Sequence, residues 1–278
     1  MKHQLFRILL FFALAKMFIH CQKAYKSEVT QQDPISKIEK TTEKVGSKIS
    51  ADLPSTISIL LPTQYRKEST GYPKNVENKN WFELYKEEKT GKWLIGKADF
   101  QISYGRDECV GEEVMIIQSK HENAVLFFTD FKGLNEKPET ILENKSLFPE
   151  HFVSFNFKGS QYKLLPMGSV MDDQRQIITA SMVRAKTDQE LADSQITNYQ
   201  LSFSANDKTY HLVTIDEIEF STPKIVWVGD LNGDDFPDMI LDISDFYEAQ
   251  HFYFYLSDPS DQEKPLKKVA DILVVNDC

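Results

Sequence analysis

Five aspartates fall between positions 230 and 242, inside the segment KIVWVGDLNGDDFPDMILDI that runs from Lys224 to Ile243. Asp230, Asn232, Asp234 and Asp238 stand at positions one, three, five and nine of the stretch that begins at Asp230, and Phe236 stands at position seven. Alternating oxygen donors of this kind suit a turn wrapped around a hard cation. Side chains at odd positions point inward, a main-chain carbonyl serves at position seven, and Ca²⁺ takes six to eight oxygens in all. Charge argues the same way. Two like charges ~4 Å apart near a protein surface cost on the order of 4 kcal/mol, and no basic residue follows Lys224 until His251. The competing reading is a solvated acidic turn, because Asp, Asn, Gly and Pro all favour turns.

The elements that would position these donors are extended. Ile225–Val228 and Met239–Leu241 are short apolar runs rich in β-branched residues, which predicts a strand on each side of the loop. Position twelve is Leu241, so the bidentate Glu of an EF-hand is missing. The pattern D-x-N-G-D-x-x-x-D between strands instead resembles the FG-GAP/VCBS-type calcium loop of exported proteins and integrin-like propellers. The resemblance implies a Ca²⁺ ion held by Asp230, Asn232, Asp234, the carbonyl of Phe236 and Asp238. That family usually has Gly at position six, where the backbone is left-handed. Here the residue is Asp235, which tolerates that conformation at a cost of roughly 1 kcal/mol. No second D-x-[DN]-x-D occurs between Gln22 and Cys278, so the repeats a propeller needs are missing and the resemblance covers one motif. Trp227, two positions before Gly229, is expected to anchor the loop to the core.

The 278 residues carry a net charge of −10, with 27% charged and 41% apolar residues, the balance of a globular protein. No basic stripe is present to neutralise phosphates, which argues against nucleic acid as a partner. Lys2 and Arg7 precede the apolar run Ile8–Ala15, which is too short to span a bilayer. This reads as an export signal over residues 1–21. Two processing sites compete: Ala13-Leu14-Ala15 suits ordinary cleavage, whereas Cys21 is placed to be lipidated, as in a bacterial lipoprotein. Phe18, Ile19 and His20 fit a lipobox poorly, but acylating Cys21 leaves an even pair, Cys109 and Cys278, to bridge in an oxidising compartment. Residues 22–52, polar and nearly free of aromatics, read as a tether to the membrane.

Residues 53–198 read as an N-terminal β-rich part. Trp81–Tyr85 and Lys92–Ile95 flank a turn at Thr90-Gly91, Val114–Gln118 and Ala124–Thr129 form a hairpin pattern, and a second hairpin turns at Lys158-Gly159-Ser160. Ile177–Val183 suits strand or helix, and Thr187-x-x-Glu190 resembles a capping box. Residues 199–278 hold five evenly spaced apolar runs, Tyr199–Phe203, Tyr210–Ile215, Ile225–Val228, Met239–Ile243 and Phe252–Leu256. The fold class expected is therefore mainly β, an antiparallel meander or sandwich that carries the acidic strand–loop–strand near its C-terminus and is not a propeller.

No G-x-S-x-G, G-x-G-x-x-G, C-x-x-C or H-E-x-x-H is present, and the His residues show no metal spacing. The sequence thus favours an exported, lipid-anchored envelope protein with one structural calcium site. A calcium-dependent carbohydrate-binding module using Trp81, Trp93 or Trp227 is the alternative, and a hydrolase with dispersed residues comes third.

Overall fold

The computed structural model describes residues 57–69, 71–191 and 194–276. The expected signal segment, the lipidation site Cys21, the tether and Cys278 lie outside the described residues. The described residues all belong to one compact unit. Among the described residues no helix is long and apolar enough to cross a membrane.

The first strands are β1 (Ile59–Leu60), β2 (Gln64–Arg66), β3 (Trp81–Lys86), β4 (Trp93–Lys97), β5 (Phe100–Arg106), β6 (Glu113–Ser119) and β7 (Ala124–Thr129). They form a four-stranded sheet, β1-β7-β3-β4, and a three-stranded one, β2-β6-β5. The turn at Thr90-Gly91 joins β3 to β4 as expected, but the pattern Val114–Gln118/Ala124–Thr129 is not a hairpin. β6 pairs with β5 and β2, whereas β7 pairs with β3 and β1. The reason lies in the connection: Lys120 N–H donates to Asp99 O, and Asn123 O accepts from Lys86 N–H. Each end of the connection is thus held by a different sheet.

Next come β8 (Glu139–Ser146), β9 (Val153–Phe157), β10 (Ser160–Met171), β11 (Ile177–Ile178), α1 (Ala180–Arg184), α2 (Asp188–Leu191), β12 (Gln195–Ala205) and β13 (Lys208–Ile218). Lys158 and Gly159, at φ 47° and 81°, form the β9–β10 turn. The ambiguous run Ile177–Val183 divides between β11 and α1, the latter capped by the Thr179 hydroxyl. Thr187 and Glu190 do make a capping box: Thr187 N–H donates to Glu190 Oε2 at 2.8 Å, and Glu190 N–H donates to Thr187 Oγ1 at 3.4 Å. The last strands are β14 (Lys224–Asp230), β15 (Asp238–Asp242), β16 (Ala249–Ser257) and β17 (Leu266–Val275).

The architecture is mainly β, with antiparallel sheets, none of them closed into a barrel or propeller. The five apolar runs of the C-terminal part do not make one meander. β12 and β13 belong to the sheet of β9, β10 and β11, whereas β14 to β17 form a separate sheet whose far edge is β8, in the order β17-β16-β15-β14-β8. The β10–β12 ladder therefore crosses the division expected at residues 198/199.

The β14–β15 pair at the centre of this sheet is buried on both faces. Val226, Trp227, Ile240, Phe254 and Ile272 join the core built by the front sheets. Ile225, Val228, Met239, Leu241 and Tyr255 join the core of the β9–β13 sheet. Continuous apolar runs, not alternation, are what a strand covered on both sides requires.

Away from these cores, Asp107 ties the β5–β6 turn to β2. Its Oδ1 accepts from the Cys109 and Val110 amides, and its Oδ2 accepts from Gln64 Nε2 at 2.9 Å and Arg66 Nε at 3.1 Å. The Val110 amide, followed by the Arg66 side chain, holds the Asp107 carboxyl below its ordinary value. A carboxylate with a depressed folded pKa stabilises the fold above its unfolded value, ~3.9, and loses that contribution as pH falls through the folded value. Asp107→Asn is expected to lower the melting temperature at pH 7 by several degrees and to flatten its fall below about pH 4. Parallel pH–melting profiles for the two proteins would contradict this role.

Candidate functional site

The acidic turn lies where two neighbours hold β14 and β15. Gly229 pairs with Asp238 on β15 and with Thr140 on β8. A Cβ at Gly229 would stand 2.3 Å from both Glu139 O and the Trp227 ring, so this position requires glycine. Trp227 is fully buried and donates its indole N–H to Thr140 Oγ1 at 3.0 Å. Trp81 and Trp93 are buried as well, so none of the three presents an open face for stacking.

From Leu231 to Pro237 the chain folds back on the carboxylates at its ends. Asp230 Oδ1 accepts from the Gly233 amide at 2.7 Å and the Asp234 amide at 3.3 Å, and its Oδ2 accepts from the Asp235 amide at 3.3 Å. Asp238 Oδ2 accepts from the Leu231 and Asn232 amides at 2.6 and 3.2 Å. Asp235 takes the left-handed backbone expected at position six, with φ 61°. Phe236 is set by its ring, which stands edge-on to Tyr162 and Phe203 at 5.2 and 6.2 Å.

Three of the four expected side-chain donors converge, and they do so on a residue outside the loop. Ser257, at the end of β16, donates its amide to Asp238 Oδ1 at 2.7 Å. Its Oγ lies 2.7 Å from the same oxygen and 3.0 Å from each oxygen of Asp234. The Asn232 amide group donates to Ser257 O at 3.0 Å and to Asp234 Oδ2 at 3.1 Å. Asp230 does not join this group, being turned to the loop amides. Among the described residues no three His, Cys, Asp or Glu side chains are arranged to hold a metal ion.

Charge compensation is partial and partly unexpected. Lys158, in the β9–β10 turn, reaches Asp235 at 3.4 Å and Glu139 at 3.0 Å, and Lys224 reaches Asp242 at 3.3 Å. The segment is therefore not bare of cations, as its own sequence suggests, because Lys158 arrives from 77 positions upstream of Asp235. Yet among the described residues Asp230, Asp234 and Asp238 have no ion pair, and Asp230 and Asp238 are buried. Burial pushes the Asp238 carboxyl up to about 7, opposed by its hydrogen bonds from Ser257 and Leu231 and reinforced by the Asp234 charge. Burial also raises Asp234, with a smaller push from Asp230. Asp234 and Asp238 bring carboxylate oxygens together, the ligand chemistry a hard divalent ion takes, whereas Asn232 turns its Nδ2 to this cluster and its Oδ1 to the Asp234 amide.

A scan against protein-family models returns no match for this chain, and neither do searches of curated proteins and of solved structures.

The loop is braced from the front sheets by the connection between β7 and β8. Asn135 N–H donates to Leu231 O at 2.7 Å, and its side-chain amide reaches Asp230 O at 3.4 Å. Gly133 has φ 86°, and a Cβ there would sit 2.5 Å from Asn232 O, a backbone atom that cannot swing aside. Gly133→Ala is expected to destabilise the protein by roughly 1–3 kcal/mol through backbone strain and this collision. Denaturant unfolding measures it, and a change within about 0.5 kcal/mol, the range of ordinary surface substitutions, would show that the brace is dispensable.

Proposed function

We propose that this chain is an exported, lipid-anchored protein of a bacterial envelope whose Asp230–Asp238 loop binds one structural Ca²⁺ ion. The observation that carries the calcium reading is the set of buried or half-buried carboxylates, Asp230, Asp234 and Asp238, without a basic partner among the described residues. Asp230, Asn232, Asp234, Asp238 and the Phe236 carbonyl would hold the ion. Its role would be to neutralise the loop and so fix the β14–β15–β16 ladder. Export and anchoring rest on the residue pattern of the first 21 positions, with Cys21 as the acylated residue.

An ion that binds only the folded protein stabilises it by about 2.7 kcal/mol at a hundredfold excess over Kd. For a unit of this size that is a rise in melting temperature of roughly 5–10 °C. Protein stripped of metal is expected to melt lower by this amount than protein in excess Ca²⁺, and Asp234→Asn to abolish most of the difference. Superimposable melting curves with Ca²⁺ and with chelator would refute the site.

The same reading pairs Cys109 with Cys278. Cys109 stands in the turn between β5 and β6. It follows Asp107 by two residues, Asp107 is gripped by Arg66 of β2, and β2 runs beside β17, which ends three residues before Cys278. Mass spectrometry of unreduced protein is expected to recover one peptide pair containing both cysteines. Two alkylated thiols at those positions would remove the bridge.

A further inference from the structure

Ser257 lies 19 residues beyond Asp238 and outside any loop pattern, yet all three of its polar groups are spent on the expected ion ligands. Its N–H goes to Asp238, its carbonyl accepts from Asn232, and its hydroxyl faces Asp234 and Asp238. The residue is buried, so water does not compete for these groups.

A serine hydroxyl carries one proton. Three carboxylate oxygens, Asp238 Oδ1 and both oxygens of Asp234, stand within 3.0 Å of Ser257 Oγ. One of them receives the proton, and the others face an oxygen lone pair at close range. A cation beside these oxygens would relieve that crowding. Within the loop Asn232 also reaches both side chains, its N–H to Asp238 Oδ2 at 3.2 Å and its Nδ2 to Asp234 Oδ2 at 3.1 Å. Ser257 adds a second bridge that comes from β16, so an apolar side chain at this position would leave Asn232 to hold the two carboxylates together.

We propose that Ser257 is a positioning residue of the cation site, holding Asp234, Asp238 and Asn232 around one point so that ion affinity depends on β16 as well as on the loop. The inference rests on the calcium reading given above. β16 pairs with β15 through Met239↔Tyr255 to Asp242↔Phe252, so Ser257 sits just past the paired register, at the loop end of the ladder. Ion binding then bears on three strands at once, and the ladder end that Ser257 occupies tightens with it.

The test is calorimetric titration of metal-stripped protein with CaCl₂, using wild type, Ser257→Ala and Ser257→Thr, with the metal-free melting temperature of each recorded alongside. Residues that orient metal ligands typically contribute about 10–100-fold in affinity, so Ser257→Ala is expected to weaken binding by that factor and Ser257→Thr, which keeps the hydroxyl, to restore most of it. A purely structural role would lower the metal-free melting temperature and leave Kd unchanged. Equal Kd for wild type and Ser257→Ala overturns the inference while leaving the calcium site standing. Absence of binding by wild type overturns the calcium reading and this inference with it. Should Ser257→Ala fail to fold, amide hydrogen exchange of wild type decides: added Ca²⁺ is expected to slow exchange at Ser257, and an unchanged rate there counts against the proposal.

Discussion

The structure depends on covering both faces of the β14–β15 pair. Every residue from Ile225 to Asp230 and from Asp238 to Asp242 is buried, which is unusual for an antiparallel hairpin, where one face commonly meets water. The front sheets close one face around Trp227, Ile240 and Phe254, and the β9–β13 sheet closes the other around Val228, Met239 and Tyr255. Apolar burial at about 25 cal/mol per Å² is the main term holding such layers together. A pair covered on both sides contributes to two cores at once. The bulge between Ile225 and Trp227 belongs to this arrangement, since it lets Val226 and Trp227 both serve the front core.

The same two-sided cover explains why the acidic turn is costly. Asp230 and Asp238 are the last residue of one buried strand and the first of the next, so their carboxylates are drawn into the layer with the backbone that carries them. Surface aspartates would be hydrated. These are satisfied instead by loop amides at close range, three around Asp230 and two on Asp238, with Ser257 supplying the remainder. Amides compensate polarity, but they do not supply a full positive charge, and Asp238 keeps a raised pKa despite them. Hydrogen bonding therefore accounts for the shape of the loop, while Asp230, Asp234 and Asp238 have no basic partner among the described residues.

Much of this was legible in the residues, and the parts that were not share one cause. Strand positions followed from apolar runs and turn residues, because these report local geometry: β3, β4, β6, β7, β9 and β10 fall where the pattern puts them. Partnerships did not follow, because a run such as Val114–Gln118 looks the same whether it folds back on its successor or leaves for another sheet. β8 was missed for a related reason. Glu139, Glu143 and Lys145 make ETILENKS read as polar loop, yet as an edge strand it needs only partial cover, and its backbone pairs with β14.

At the candidate site the left-handed turn at Asp235 and the oxygen alternation were visible in the sequence, since both are properties of consecutive residues. Lys158 and Ser257 were not, since each arrives from a different strand by way of the sheet's register. Ser257 is the more consequential of the two. It is one of many serines in the chain, and nothing in Tyr255-Leu256-Ser257 distinguishes it. Only the pairing of Met239 with Tyr255 brings it beside Asp238. The loop motif alone therefore describes donors that a strand further along helps to gather. In this fold Ser257 adds to the bridge that Asn232 makes within the loop, so the grouping of Asp234 with Asp238 draws on β16 as well as on the turn.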